Sequence, residues 1–212
     1  MKQNSIFEKV SASGPDPQVL AAAADVLTAG GLLVFPTTGL YGLGADALNP
    51  VSVEKIYQVK QRDFSKPILV LVKDASELGR IAKEVPGAAS ALVDAFWPGG
   101  LTIILEARSE LPDVLTGNTG KIGVRVPKHP VASALVNAFD GPITGTSANL
   151  SGQAGCSSVA GLDAELVQCV DMVLDAGPLK GGVGSTVVDV TSDPPRVLRE
   201  GTVSKQQLES VL

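Results

Sequence analysis

Five segments of this chain share one chemistry: an apolar run that ends in hydroxyls, glycines and a cation. They are FPTTGLYGLGADA (35–47), KQRDFSKP (60–67), KIGVRVPKHP (121–130), GTSANLSG (145–152), and GSTVVDV followed by PPRVLREG (184–201). Backbone N–H groups beside glycines, hydroxyls and guanidinium forks all hold anions. Such a set suits a site that binds and orients reactants rather than one built on a protein nucleophile. The sole histidine, His129, is the one histidine available as a general base, and it sits between Lys128 and Pro130.

Each segment has two readings. In 35–47, Thr37 and Thr38 present hydroxyls, and Gly39, Gly42 and Gly44 allow close backbone approach or a tight strand-to-helix connection. The spacing is GxxGxG, not the GxGxxG of dinucleotide sites. Lys60, Arg62 and Lys66 follow a helical pattern, so they complement a helix dipole or clamp a polyphosphate. GNTGK (117–121) resembles a P-loop, but Leu115 replaces its first glycine and Ile122 its hydroxyl, which excludes that motif. Arg125 interrupts the apolar strand IGVRV and needs an anion, from an internal carboxylate or from a substrate. Thr146, Ser147, Asn149 and Ser151 form either a phosphate cradle or a turn of Asx and Ser type. Ser185 with Arg196 and Arg199 repeats the hydroxyl–cation theme, and Trp97 reads as core.

The elements that position these residues follow from periodicity. Helices are expected over 17–29, with Asp16 as N-cap, Pro17 at the first position and Gly30-Gly31 as the stop. Others are expected at 50–60, 75–84, 86–96, 130–139 and 204–212, the last capped by Ser204. Strands are expected at 32–36, 67–72, 101–107, 122–127, 142–146, 171–177, 186–190 and 195–200. This order predicts an α/β fold, a twisted mixed parallel/antiparallel sheet flanked by helices, in a single unit over 1–212 with a concave anion-binding cleft.

Composition narrows the classes. The 212 residues are 44% hydrophobic, enough for a sizeable core, and the formal net charge of −5 opposes a general nucleic-acid coat. Cys156 and Cys169 lack metal or redox spacing. No secretory leader or membrane-length apolar run is present, so a cytoplasmic, membrane-free protein is expected.

Taken in order, the blocks FPTTGLYGLGADA, KQRDFSKPILVLV, FWPGGLTIIL, IGVRVPKHPV, TSANLSG and GSTVVDV–PPRVLREG resemble the YrdC-type threonylcarbamoyl-AMP synthase family. The likeness runs from about Leu32 to Ser204, with a family-like core of about 17–204, in what looks like the short form. It implies condensation of L-threonine, bicarbonate or CO2, and ATP with Mg2+ into threonylcarbamoyl-AMP and pyrophosphate. A tRNA or threonylcarbamoyl-transferase partner would carry the group to adenosine 37. By position, Thr37, Arg125, Gly145 and Ser185 are expected to contact threonine. Lys60, Arg62, Lys66, Ser147, Asn149, Gly155 and Arg199 are expected to contact ATP, with Lys60, Arg62 and Arg199 acting on the phosphates. No protein metal ligand is expected. The chain departs from the family pattern at Thr38-Gly39, Leu71 and Gly184, positions that bear on threonine binding. The competing readings are a carbamoyl-adenylate domain and an RNA-binding module without catalysis.

Overall fold

The computed structural model describes residues 5–212. The chain runs β1 (Ile6–Lys9), α1 (Pro17–Thr28), β2 (Leu33–Pro36), β3 (Tyr41–Gly44), α2 (Pro50–Lys60), β4 (Val70–Leu71), α3 (Leu78–Ile81), α4 (Gly87–Phe96) and β5 (Leu101–Glu106). It continues through α5 (Asp113–Thr116), β6 (Lys121–Arg125), α6 (Pro130–Phe139), β7 (Ile143–Thr144), β8 (Thr146–Ser147) and α7 (Ala164–Val167). It closes with β9 (Met172–Asp175), β10 (Thr186–Asp189), β11 (Arg196–Arg199) and α8 (Lys205–Glu209).

Helix ends obey local chemistry. The Asp16 carboxylate accepts from the Gln18 amide at 2.8 Å, Pro17 opens α1, and Gly30 follows the helix at φ +78°. Asn49 caps α2 ahead of Pro50, and Gln61 ends it in the left-handed region. Ser204 and Gln207 form a reciprocal capping box on α8.

The expected mixed parallel and antiparallel α/β architecture is present, with its strands spread over two sheets. One has the order β1-β9-β2-β3-β8 and the other β11-β10-β5-β6-β4-β7. The chain changes sheets at Gly145, between β7 and β8. A Cβ there would lie 2.7 Å from Leu71 Cγ and 2.8 Å from Leu69 Cδ1, so a side chain has no room at this corner. Thr144, just before it, is fully buried and accepts from the Ala45 amide through its hydroxyl at 2.9 Å, tying the corner to β3.

Several elements differ from the sequence reading. The glycines of 35–47 belong to a β2–β3 hairpin rather than a strand-to-helix turn. A Cβ at Gly44 would stand 2.7 Å from the Phe35 ring and one at Gly42 3.2 Å from it, so both glycines accommodate that ring. The helix expected at 75–84 ends at Ile81, because Ala82 bridges Ala107 and the Lys83 amide donates to Glu106. The strand expected at 67–72 narrows to Val70–Leu71, after a proline that has no amide to give. The largest apolar cluster joins both sheets through Val34, Leu43, Ile56, Leu92, Ile103 and Val188. A second cluster packs α1 against α6 through Leu27, Phe35, Leu135 and Met172. Among the described residues no helix is long and apolar enough to cross a membrane.

Candidate functional site

A cavity of about 620 Å³ lies over one face of the second sheet. Side chains alternate along a strand, so the residues of β5, β6 and β10 that reach it are spaced by two. Thr102 and Ile104 come from β5, and Lys121, Gly123 and Arg125 from β6. Ser185 leads into β10, which adds Val187 and Asp189. Their neighbours Ile103, Val124 and Val188 face the opposite way and are fully buried. Arg199 of β11 pairs in register with Val187, and Val187 with Thr102, so Arg199 extends the same row. The β2–β3 turn supplies Thr37 and Leu40, and the sheet-switching corner supplies Gly145, Thr146 and Ser147.

The charge of this cavity contrasts with that of the whole chain. Arg62, Lys121, Arg125 and Arg199 line it against one carboxylate, Asp189, which already pairs with Lys121 at 3.2 Å. Burial pushes the Asp189 carboxyl up, but hydrogen bonds from Thr191 and Lys121 outweigh it and hold the group below its ordinary value. The surplus is positive, as an anion site requires.

No carboxylate pairs with Arg125 among the described residues, and its Nε is buried without a hydrogen-bond acceptor. Burial, and secondarily the Arg199 charge, lower its pKa to about 10. The internal carboxylate considered from the sequence is therefore absent from the described residues, and the guanidinium faces a cavity large enough for an anionic ligand. Leu71 stands beside it in the β4–β6 register.

Arg199 and Ser185 form one unit. The arginine donates from Nη2 at 2.8 Å and from Nε at 3.1 Å to the Ser185 carbonyl. The Ser185 hydroxyl lies 2.8 Å from that of Thr102. Gly184 keeps this corner open, since a Cβ there would come 3.3 Å from Arg199 Nη2. Thr37 turns its hydroxyl and amide to the Leu40 carbonyl, which closes the hairpin turn. Gly39 of that turn lies under Gly181, whose carbonyl would be 2.4 Å from an added Cβ.

The remaining expected contacts are placed differently. Arg62 lines the cavity at its rim, held by the Lys66 and Pro67 carbonyls at 3.2 and 2.9 Å. Lys60 does not line it. Lys60 is 2% exposed, and its ammonium ends on the carbonyls of Ser147 and Asn149. Lys60 thus fixes the backbone that carries Ser147, rather than presenting its own charge. Asn149 is buried, donates to the Leu150 and Gln153 carbonyls, and leaves Oδ1 without a partner. Lys66 is exposed outside the lining, and Gly155 packs behind Leu40. His129 caps α6 through Nδ1, 3.2 Å from the Val131 amide, and lines no cavity described here.

Sequence reasoning passed over Lys121, Asp189, Thr102 and the apolar floor of Ile104, Val187 and Leu198. The signal was available as period-two alternation: Lys121, Gly123 and Arg125 share a face, as do Ser185, Val187 and Asp189. Among the described residues no three His, Cys, Asp or Glu side chains cluster as metal ligands.

Residues 25–201 match the Sua5_yciO_yrdC family, described as telomere recombination, and the chain belongs to that family. It is 35% identical over 190 residues to a threonylcarbamoyl-AMP synthase of Pyrococcus abyssi, covering 90% of this chain and 56% of that one. It is 37% identical over 198 residues to a threonylcarbamoyl-AMP synthase of Bacillus subtilis, covering 93% and 57% respectively. The chain thus spans little more than half the length of these relatives. A crystal structure of P. abyssi Sua5 complexed with L-threonine superposes with a TM-score of 0.91 at 32% identity, over 98% of this chain and 61% of that one.

Proposed function

We propose that this Sua5/YciO/YrdC-family chain is an L-threonylcarbamoyl-AMP synthase acting in the cytoplasm as a single YrdC-like unit. The threonine amine adds to the carbon of CO2, or of dehydrated bicarbonate, and sheds a proton. A carbamate oxygen then attacks the α-phosphorus of ATP, and the bond to the β-phosphate breaks as pyrophosphate leaves. The adenylate would pass to a tRNA-modifying transferase.

One observation carries this reading: Arg125, whose buried Nε has no acceptor among the described residues, shares a cavity with Arg62 and Arg199. The threonine carboxylate supplies the missing anion for Arg125, beside Thr37, Gly145 and Ser185. Arg62 and Arg199 face the phosphates, where charge moves from the attacking carbamate to pyrophosphate. Lys60 and Asn149 act by holding the backbone beside Ser147 that accompanies the nucleotide, while Lys66 and Gly155 support the rim. Mg2+ would enter as part of the MgATP substrate, with the phosphates supplying its ligands. No protein nucleophile is required.

The test is pyrophosphate release by the purified protein with MgATP and bicarbonate, with and without L-threonine. Release that requires threonine is the expected outcome. Threonine-independent release would assign carbamoyl-adenylate or ATPase chemistry instead, and salt-dependent RNA binding without turnover would assign a binding module.

A further inference from the structure

A second cavity, of about 430 Å³, adjoins the first and shares Thr37, Leu40, Arg125, Gly184 and Ser185 with it. Arg125 therefore borders both spaces, and its buried Nε has no acceptor from the protein. Beyond this neck the second space has walls of its own. Lys128 adds a cation, Thr38 and Thr202 add hydroxyls, and Phe96, Trp97 and Val183 add apolar surface. Lys128 is exposed and makes no hydrogen bond or ion pair among the described residues. Among the described residues Arg125 and Lys128 are the charged ones that line this cavity, and no carboxylate lines it.

The neck is kept open by glycines. Gly184 carries no side chain between the two spaces. The segment before it crosses the hairpin turn closely, with the Gly181 amide donating to the Gly39 carbonyl at 3.0 Å and φ of +71° and +104° at Gly181 and Gly182. Only glycine adopts such a run without strain. The first cavity alone has the size of a small-molecule site, and the second adjoins it as further space.

We infer that the second cavity is a separate site for a small oxyanion, held between Lys128 and Arg125, that enters or leaves the reaction centre past Arg125. The inference rests on the synthase reading for the identity of the anion. Two small oxyanions belong to that reaction, bicarbonate as substrate and pyrophosphate as product, and both match paired cations with hydroxyl donors.

Trp97 makes the site directly observable. It is the sole tryptophan of the chain, it lines this cavity, and its indole N–H is anchored on the Leu101 carbonyl at 2.8 Å. The experiment follows Trp97 emission while sodium bicarbonate, or in a separate arm inorganic pyrophosphate, is added at constant ionic strength without nucleotide or threonine. The expected result is a saturable change with one of them, weakened about five- to tenfold in Lys128→Gln and unaltered in Arg62→Ala, since Arg62 lines the first cavity alone. Saturation by bicarbonate makes the cavity the carbon inlet, and saturation by pyrophosphate makes it the product outlet. No saturable change with either anion overturns the inference, as does equal affinity in wild type and Lys128→Gln. Loss through Arg62→Ala instead would place the anion in the first cavity and also overturn it. Because no turnover is needed, a negative titration leaves threonine-dependent pyrophosphate release intact as the test of the synthase reading.

Discussion

The Lys60 ammonium lies 2.6 Å from the Asn149 carbonyl oxygen, joining the last residue of α2 to the loop that follows β8. This contact couples the KQR segment to the SAN segment through the protein interior. Among the described residues no carboxylate pairs with this cation, which ends on two carbonyl dipoles. Burial, and then the Arg62 charge, lower its pKa from 10.5 to about 8.

That shift fixes a pH dependence. A lysine whose folded pKa lies below its unfolded one binds fewer protons in the folded chain over the interval between them. Stability therefore rises with pH through that interval. Relative to Lys60→Met, the wild type should gain stability from about pH 8 to pH 10.5 and show no such relative gain below pH 7. Denaturant unfolding of both proteins across pH 6–10.5 measures it, and parallel curves would contradict the burial argument.

Arg125 separates binding from folding. A charged hydrogen bond to a carboxylate is worth about 1.5–3 kcal/mol. Arg125→Met should thus weaken threonine binding about 10- to 150-fold, measured calorimetrically. The same change removes a cation whose buried Nε has no acceptor among the described residues, so the ligand-free variant should be at least as stable as wild type. A destabilised variant would mean that Arg125 has a structural partner.

For Arg199, shape matters beyond charge. Two donors of its fork engage one carbonyl, and the rest of the guanidinium faces the cavity. Arg199→Lys keeps the charge but cannot do both. It should lower kcat/KM for ATP about 10- to 100-fold, about 1.4–2.7 kcal/mol. A change under threefold would remove Arg199 from the phosphate contacts.

Helix α1 was legible from Asp16-Pro17 at its start and Gly30-Gly31 at its stop, α8 from Ser204, and α2 from its apolar periodicity, while the four-residue α5 and α7 were not read. The split into two sheets was not legible. It depends on Gly145 and on how Leu69 and Leu71 crowd it, a contact between residues about 75 positions apart that no local pattern encodes. Arg125 was legible as a residue in need of an anion because a charge within an apolar run is costly. The inward turn of Lys60 was not, since a lysine ending a helix has the same local signature whether it serves solvent, phosphate or a buried carbonyl. Likewise the glycines of GLYGLG read locally as close backbone approach or a tight strand-to-helix connection, yet Gly42 and Gly44 are strand residues shaped around Phe35.

This last contact gives a prediction about stability alone. Phe35 is fully buried, and an alanine Cβ at position 44 would sit 2.7 Å from its ring, well inside van der Waals contact. The ring is fixed in a packed cluster and the backbone of β3 is paired on both sides, with β2 and with β8. Relief must come from shifting one or the other, and overpacking of this kind costs about 1–3 kcal/mol. Gly44→Ala should lower Tm by about 2–4 °C for each kcal/mol lost. Gly87→Ala is the matched control: a Cβ at the start of α4 meets nothing within 4 Å. There the restricted unfolded chain should leave stability unchanged or raise it by up to about 1 kcal/mol. Calorimetric melting of the two variants in parallel decides the point: equal Tm values would show that Gly44 is present for some reason other than the Phe35 ring.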